Sequence, residues 1–397
     1  MPGAWRWACP ACTSVCTFPR TPSWVPCWAL PSLWRRRSGS PKHPSQQSIQ
    51  VMKVLYGVQG TGNGHLSRAR AMAKAFAARD INVDYLFSGR PAERYFDMQA
   101  FGHFRTLPGL TFASSRGRLS YLKTFFGNNY WHLVRDVLTL DLQDYDLVLT
   151  DFEPITAWAG WLRGKTVVSM GHQPAFDHRV PVAGHDFRSQ WVMRMFAPGS
   201  VRLGMHWDSF KAPILPPIVN VEHAADKSEQ RKVVVYLPFE EQEEVQALLA
   251  QLPEYEFYIY APGNKTARRA NLHILPTSLQ GFQSDLSDCA AVICNAGFEL
   301  SSECLALGKR LLVKPLSRQM EQSSNALALK QLGYGDVLES LRLEPIRDWL
   351  ASHTPVRRVH YPDVASEIVQ WLTQGDLRRA SQQALSDRLW ERVVVGP

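Results

Sequence analysis

Residues 291–330 read AVICNAGFELSSECLALGKRLLVKPLSRQMEQSSNALALK. AVIC is a continuous apolar run, the pattern of a strand buried on both faces. Gly297 then turns the chain, residues from Phe298 to about Leu307 have helical spacing, and Gly308 stops the helix. RLLVKP (310–315) is a second strand, and a polar loop carries Glu321 and Gln322 into another helix. Such an order makes parallel strands, with helix N-termini and loop side chains gathered at their carboxyl ends. There the helix dipole and its amides favour an anion, a diphosphate above all. Mid-helix Glu303 and the Glu321–Gln322 pair would line the same crevice, an arrangement suited to a nucleotide with a sugar attached.

The alternation extends in both directions. Apolar strands are expected at 53–58, 81–87, 146–150, 166–170, 232–237, 256–260, 272–275, 291–294 and 310–315, with helical stretches between them. In 66–79, Leu66, Ala69, Ala73, Phe76 and Ala77 mark one helical face. So many strands exceed one small sheet, and 397 residues are enough for two cores. The proline-rich segment APILPPIVN (212–220) is the natural break. The fold class expected is therefore α/β, with two Rossmann-like doubly wound domains facing a cleft. Residues 52–217 form the first domain, and 218–397 form the second, which ends in a helical stretch broken near Gly375.

Six of the eight net positive charges belong to the first 51 residues, which hold six Lys/Arg and no acid. The remainder carries 38 basic and 36 acidic residues, so nothing in the folded body calls for nucleic acid. Prolines break every apolar run in 1–51, leaving no signal-peptide core, and Cys9, Cys12 and Cys16 lack a second pair at zinc-finger spacing. This segment is expected to be disordered or a non-native extension ahead of Met52. Cys289, Cys294 and Cys304 read as small core residues, so no disulfide framework is expected and a cytoplasmic setting fits.

The first strand runs into Gly60-Thr-Gly62-Asn-Gly64-His65, and a helix follows. Glycines let a ligand approach the backbone, but their two-and-two spacing does not match the Gly-x-Gly-x-x-Gly of dinucleotide enzymes. His65 sits at a helix N-terminus, where the dipole favours the neutral ring, able to take a proton from a hydroxyl. A base of this kind gains from an orienting carboxylate. Asp151 and Glu153 follow the strand DLVLT at the same sheet edge, although either could equally cap the next helix. The loop Gly171-His172-Gln173 ends another strand and is a further candidate to line the cleft.

GTGNGH (60–65), TDFEP (150–154), SMGHQ (169–173), and the 291–330 stretch with Gly297, Glu303, Gly308, Pro315, Glu321, Gln322 and Asn325 together resemble the GT-B glycosyltransferases. The likeness is greatest to a bacterial and archaeal family related to the lipid-linked N-acetylglucosaminyltransferase of peptidoglycan synthesis. It covers Met52 to about Leu372. The resemblance implies that Gly297 and Phe298 meet the donor diphosphate, that Glu303 binds the ribose, and that Glu321 and Gln322 hold the donor sugar. Backbone groups in 278–282 would read the base. His65 and the loop carrying Gly62 and Gly64 would lie on the acceptor side. No cofactor or metal is implied, the donor being a nucleotide sugar with UDP as the expected carrier. One departure stands out: YLPFEEQEE (236–244) replaces a loop that is glycine-rich in the peptidoglycan enzyme.

The acceptor is expected to be a glycan or lipid-linked group. Residues 116–135 mix basic and large aromatic side chains and would suit peripheral contact with the inner face of a membrane. Two other classes of function fit the same fold. A nucleotide-sugar epimerase or hydrolase would need further acid–base carboxylates, and a non-catalytic binding module would be indifferent to loss of His65.

Overall fold

Continuous β-branched runs flanked by amphipathic helices force a layered α/β architecture, because each strand must bury both faces. The computed structural model describes residues 52–111, 114–115, 118–119, 127–184, 187–221, 229–352 and 355–396. The expected N-terminal extension, 1–51, lies outside the described residues. Six strands, β1 (Lys53–Gln59), β2 (Asn82–Ser88), β3 (Phe104–Leu107), β4 (Leu147–Asp151), β5 (Val167–Gly171) and β6 (Val201–Gly204), form one sheet. Their order is β3-β2-β1-β4-β5-β6, parallel throughout. This is a doubly wound order, reversing direction beside β1.

Seven more form a second sheet: β7 (Glu229–Tyr236), β8 (Glu256–Tyr260), β9 (Ala267–Arg269), β10 (Leu272–Leu275), β11 (Cys289–Asn295), β12 (Arg310–Lys314) and β13 (Asp336–Val337). The order is β9-β10-β8-β7-β11-β12-β13, with β9 antiparallel to β10 and the other pairs parallel. Cys289, Cys294 and Cys304 are buried and free in this half, as small core residues should be.

The helices of the first half are α1 (Asn63–Ala77), α2 (Tyr130–Thr139), α3 (Pro154–Leu162) and α4 (Phe187–Phe196). Those around the second sheet are α5 (Gln242–Leu249), α6 (Leu279–Asp288), α7 (Phe298–Leu307), α8 (Met320–Leu332) and α9 (Leu343–Ala351). α7 has the bounds its sequence gives, and Gly308 ends it at φ 65°, the left-handed cap that glycine adopts without strain. α10 (Val364–Gln374) and α11 (Arg379–Trp390) follow, separated at Gly375.

These last helices return to the first half. Ser386 Oγ and Trp390 Nε1 both donate to Ile214 O at 2.7 Å, and Gln382 Nε2 donates to Arg202 O at 2.8 Å. The tail of the expected 218–397 segment thus finds its partners among residues preceding 218. Residues Val51–Pro397 form one compact unit, in which residues at the carboxyl edges of the two sheets meet, Asn63 with Tyr236 and His172 with Asn325.

Candidate active site

β1 ends at Gln59 and α1 begins at Asn63, which places His65 in the first turn of the helix. Its Nδ1 lies 2.7 Å from Asp151 Oδ1, at the carboxyl end of the neighbouring strand β4. Asp151 is fully buried. Burial alone would raise its carboxyl, yet the Arg68 guanidinium and His65 hold it below the usual carboxylate range. An ionised Asp151 only accepts, so the His65 Nδ1 proton points at it and Nε2 is left as the basic nitrogen.

Arg68 completes the group. It stands three residues after His65 on the same helical face, and its Nε and Nη2 donate to Asp151 Oδ2 and Oδ1 at 2.6 and 2.7 Å. This is the two-pronged grip that only a guanidinium provides. Two backbone features make room for it. Phe152, immediately after Asp151, has φ 54°, an unusual conformation for a bulky residue; its ring lies near-parallel to His65 and stacks on Phe196. Gly171 has φ 140°, and a Cβ there would stand 3.1 Å from Arg68 Nη2 and 3.3 Å from Asp151 Oδ1.

The second half supplies the opposite wall. Glu299, in the first turn of α7, contacts Arg68 Nη1 through its Oε1. One turn on, Glu303 accepts from Ser67 Oγ at 2.8 Å. Burial pushes the Glu303 carboxyl up to about 7, with the Ser67 bond pulling weakly the other way. A pocket lies between the halves, lined by Asn63, Ser67 and Arg70 on one side and by Tyr236, Ser278 and Glu303 on the other.

No side chain caps α7, and a Cβ on Gly297 would meet nothing within 4 Å. Its φ of −76° does not require glycine, so what glycine contributes is open space before the helix amides. Phe298 is different. Its ring is buried against Trp207 and stacks on His172 at 4.1 Å, so only its backbone is available to a ligand. Gly62 is the N-cap residue of α1. Gly64 faces Glu299, where a Cβ would come 2.7 Å from Oε2, so it serves the contact between halves.

Glu153 does not join His65. It is the N-cap of α3: Oε1 accepts from Ile155 N at 2.9 Å and Ser88 Oγ at 2.6 Å, and Oε2 accepts from Thr156 N and Oγ1 at 2.7 Å. The structure thus separates the two carboxylates of TDFEP, one to His65 and Arg68 and one to the helix cap. Glu321 faces Gln173, whose Nε2 is 3.3 Å from each of its oxygens. Gln322 turns inward, its Oε1 accepting from Leu316 N at 2.9 Å. His172 is buried, which lowers its basicity against the pull of Glu321; its nitrogens lie 2.9 Å from Met205 O and 2.6 Å from Asn325 Oδ1.

Arg68, Ser67, Glu299 and Glu240 are the site residues that sequence reasoning missed. Arg68 and Ser67 share the helix turn that follows His65, which was the available signal. Glu240, in the loop that departs from the glycine-rich pattern, pairs with Lys314 at 2.6 Å at the sheet's carboxyl edge. Among the described residues no three His, Cys, Asp or Glu side chains gather as metal ligands would, and no helix is long and apolar enough to cross a membrane.

The sequence matches the model of glycosyl transferase family 1 over residues 52–353. No protein of curated function matches it. Among solved structures, the glycotransferase of kitacinnamycin superposes with a TM-score of 0.52 at 13% identity, covering 85% of this chain and 96% of that one. CalG4, the calicheamicin glycosyltransferase, gives 0.50 at 16% identity, covering 87% and 99%. SnogD from Streptomyces nogalater, at 0.49 and 18% identity, covers 86% and 96%. Two doubly wound sheets meeting at their carboxyl edges are the GT-B fold, and with three quarters of its length matched by the family model the chain belongs to glycosyl transferase family 1 and is a glycosyltransferase.

Proposed function

We propose that this enzyme transfers a sugar from a nucleoside diphosphate, UDP being the expected carrier, to a hydroxyl of a glycan or lipid-linked acceptor by direct displacement. Residues 52–217 serve the acceptor and 218–397 the donor, as in the lipid-linked N-acetylglucosaminyltransferase of peptidoglycan synthesis. The observation that carries this reading is the His65–Asp151 pair, its carboxylate fully buried and joined through Arg68 to Glu299 at the uncapped N-terminus of α7, one turn before the carboxylate of Glu303.

The acceptor oxygen attacks the anomeric carbon as the carbon–oxygen bond to the diphosphate breaks. The hydroxyl proton passes to His65 Nε2, and Asp151 holds the ring and stabilises the imidazolium. The departing charge is met by the amides after Gly297. Glu303 binds the ribose hydroxyls, and Glu321 orients the sugar, while the inward-turned Gln322 fixes the backbone at Leu316 behind it. One displacement inverts the anomeric centre.

The test is thermal stabilisation of the protein by UDP, GDP, TDP and NAD, followed by transfer assays. One diphosphate nucleotide should raise the unfolding midpoint, less so in Glu303→Ala. His65→Ala should keep that binding while transfer falls about 10²- to 10⁴-fold. Stabilisation by NAD alone, or retention of configuration, contradicts the reading.

Peripheral membrane contact from the cytoplasmic side is favoured by one observation. Trp131, Val134 and Leu138, on one face of α2, are 76%, 47% and 62% exposed. Much of the expected contact segment, residues 116–126 other than the backbone of 118–119, lies outside the described residues. Sedimentation with phosphatidylglycerol vesicles should retain the wild type and release Trp131→Ser/Leu138→Ser. Equal sedimentation of both would remove this part of the proposal.

A further inference from the structure

Arg68 is a single cation set between two carboxylates. Its side chain is 1% exposed, that of Asp151 is 0% exposed and that of Glu299 is 15% exposed. Two of its nitrogens are committed to Asp151, and Nη1 contacts Glu299. Arg68, Asp151 and Glu299 together carry one net negative charge, beside the place where the reading above puts a diphosphate. Asp151 is anchored in β4 and engaged by both Arg68 and His65. Glu299 is the exchangeable partner, a side chain in the first turn of a helix that lines the donor pocket.

Its position makes exchange necessary. Glu299 lies between Gly297 and Glu303 along α7, so a nucleotide with its ribose at Glu303 and its phosphates before Gly297 passes directly over it. Left in place, the Glu299 carboxylate would oppose the diphosphate at short range in a partly desolvated crevice, where like charges repel strongly. The side chain is also confined on its other flank. Oε2 lies against Gly64, where even a Cβ would approach to 2.7 Å, so it occupies a slot that closes only with the halves together.

We propose that Glu299 holds the place of the donor's diphosphate on Arg68, and that the incoming diphosphate displaces Glu299 and takes over that guanidinium. Arg68 then grips the leaving group with one nitrogen and Asp151 with the others. Donor binding reaches the base through a single rigid side chain, and Arg68 becomes a positioning residue for His65 that also stabilises the departing phosphate. This inference rests on the donor assignment proposed above and adds to it a residue pair and an exchange.

Calorimetric titration of the full chain separates the two. UDP, GDP and TDP, with the matching nucleosides uridine, guanosine and thymidine, are titrated into wild type, Glu299→Gln and Glu299→Gln/Arg68→Lys. For the diphosphate that binds, Glu299→Gln should tighten Kd about tenfold, because the competing anion is gone and the shape is kept. Its nucleoside should bind unchanged. Arg68→Lys in that background should abolish the gain, since lysine keeps the charge but loses the fork. Thermal unfolding checks that each variant is folded, and Glu299→Gln alone suffices if the lysine variant is not. Unchanged or weaker diphosphate binding in Glu299→Gln, or an equal gain for the nucleoside, overturns the exchange while leaving the donor site intact. Failure of every diphosphate to bind wild type overturns the donor assignment itself, and the exchange with it.

Discussion

Two buried carboxylates lie on either side of the junction between the halves, and the protein treats them in opposite ways. Asp151, on the first sheet, is bound by three N–H groups from Arg68 and His65 and is held ionised. Glu303, on the second, has the Ser67 hydroxyl as its close partner and is pushed up to about 7 by its burial. Arg70, the cation whose charge opposes that shift, donates to the carbonyls of Phe96 and Asp97. One wall is therefore complete before any ligand arrives, its charges matched and its histidine oriented. The other carries acceptor capacity that a ligand's hydroxyls would fill. Pre-organisation on the base side and incompleteness on the donor side are what a transferase needs if its base must be ready while its donor comes and goes.

The largest effect should follow from breaking the complete wall. Asp151→Asn keeps the shape but removes the charge that Arg68 grips, leaving a buried guanidinium with Glu299 as its remaining anion. Such uncompensated burial costs about 3–5 kcal/mol. Urea unfolding at pH 7.5 should show a loss of that order, together with loss of transfer. The folded Asp151 carboxyl lies below its unfolded value, so its contribution is present above the ordinary carboxylate range and is lost only as pH falls through the folded value. The gap between wild type and variant should accordingly persist from pH 5 to 9 and close in acid. A loss under about 1 kcal/mol would mean that Glu299 alone balances Arg68, and the contrast between the walls would weaken.

The same contrast explains what the sequence made visible. The nine expected strands are all present, and they are the long apolar ones that fill the sheet interiors. The strands without a forecast in these two sheets, β3, β6, β9 and β13, are their edges. β9 (ARR) is exposed throughout and β3 (FRTL) in its first half, and an edge strand has no second neighbour to demand an apolar face. His65 and Asp151 were legible because both sit where a parallel strand ends, and that edge is fixed by topology. Which acid of TDFEP turns to His65 was not. It depends on Phe152 taking a positive φ, for which a phenylalanine gives no signal. Arg68–Glu299 and Ser67–Glu303 were hidden for another reason: each joins residues more than 230 positions apart, and their meeting depends on how the two halves dock.

A smaller effect, of opposite sign, should come from the incomplete wall. The Glu303 carboxyl is raised from an ordinary 4.5 to about 7, so between those values the folded protein holds a proton that the unfolded chain has released. Stability therefore falls as pH rises through that window and levels off above it, by an amount on the order of 3 kcal/mol for a group so deeply buried. Glu303→Gln keeps an oxygen for Ser67 and removes the ionisation. Its thermal unfolding midpoint should match wild type at pH 4.5 and exceed it at pH 8, while its affinity for the donor nucleotide falls at both. Stabilisation bought at the expense of binding would mark Glu303 as a carboxylate kept charged in a costly place for a ligand's sake. Matching midpoints at pH 8 would show that the folded protein ionises Glu303 as easily as it does Asp151, and the two walls would then differ in geometry alone.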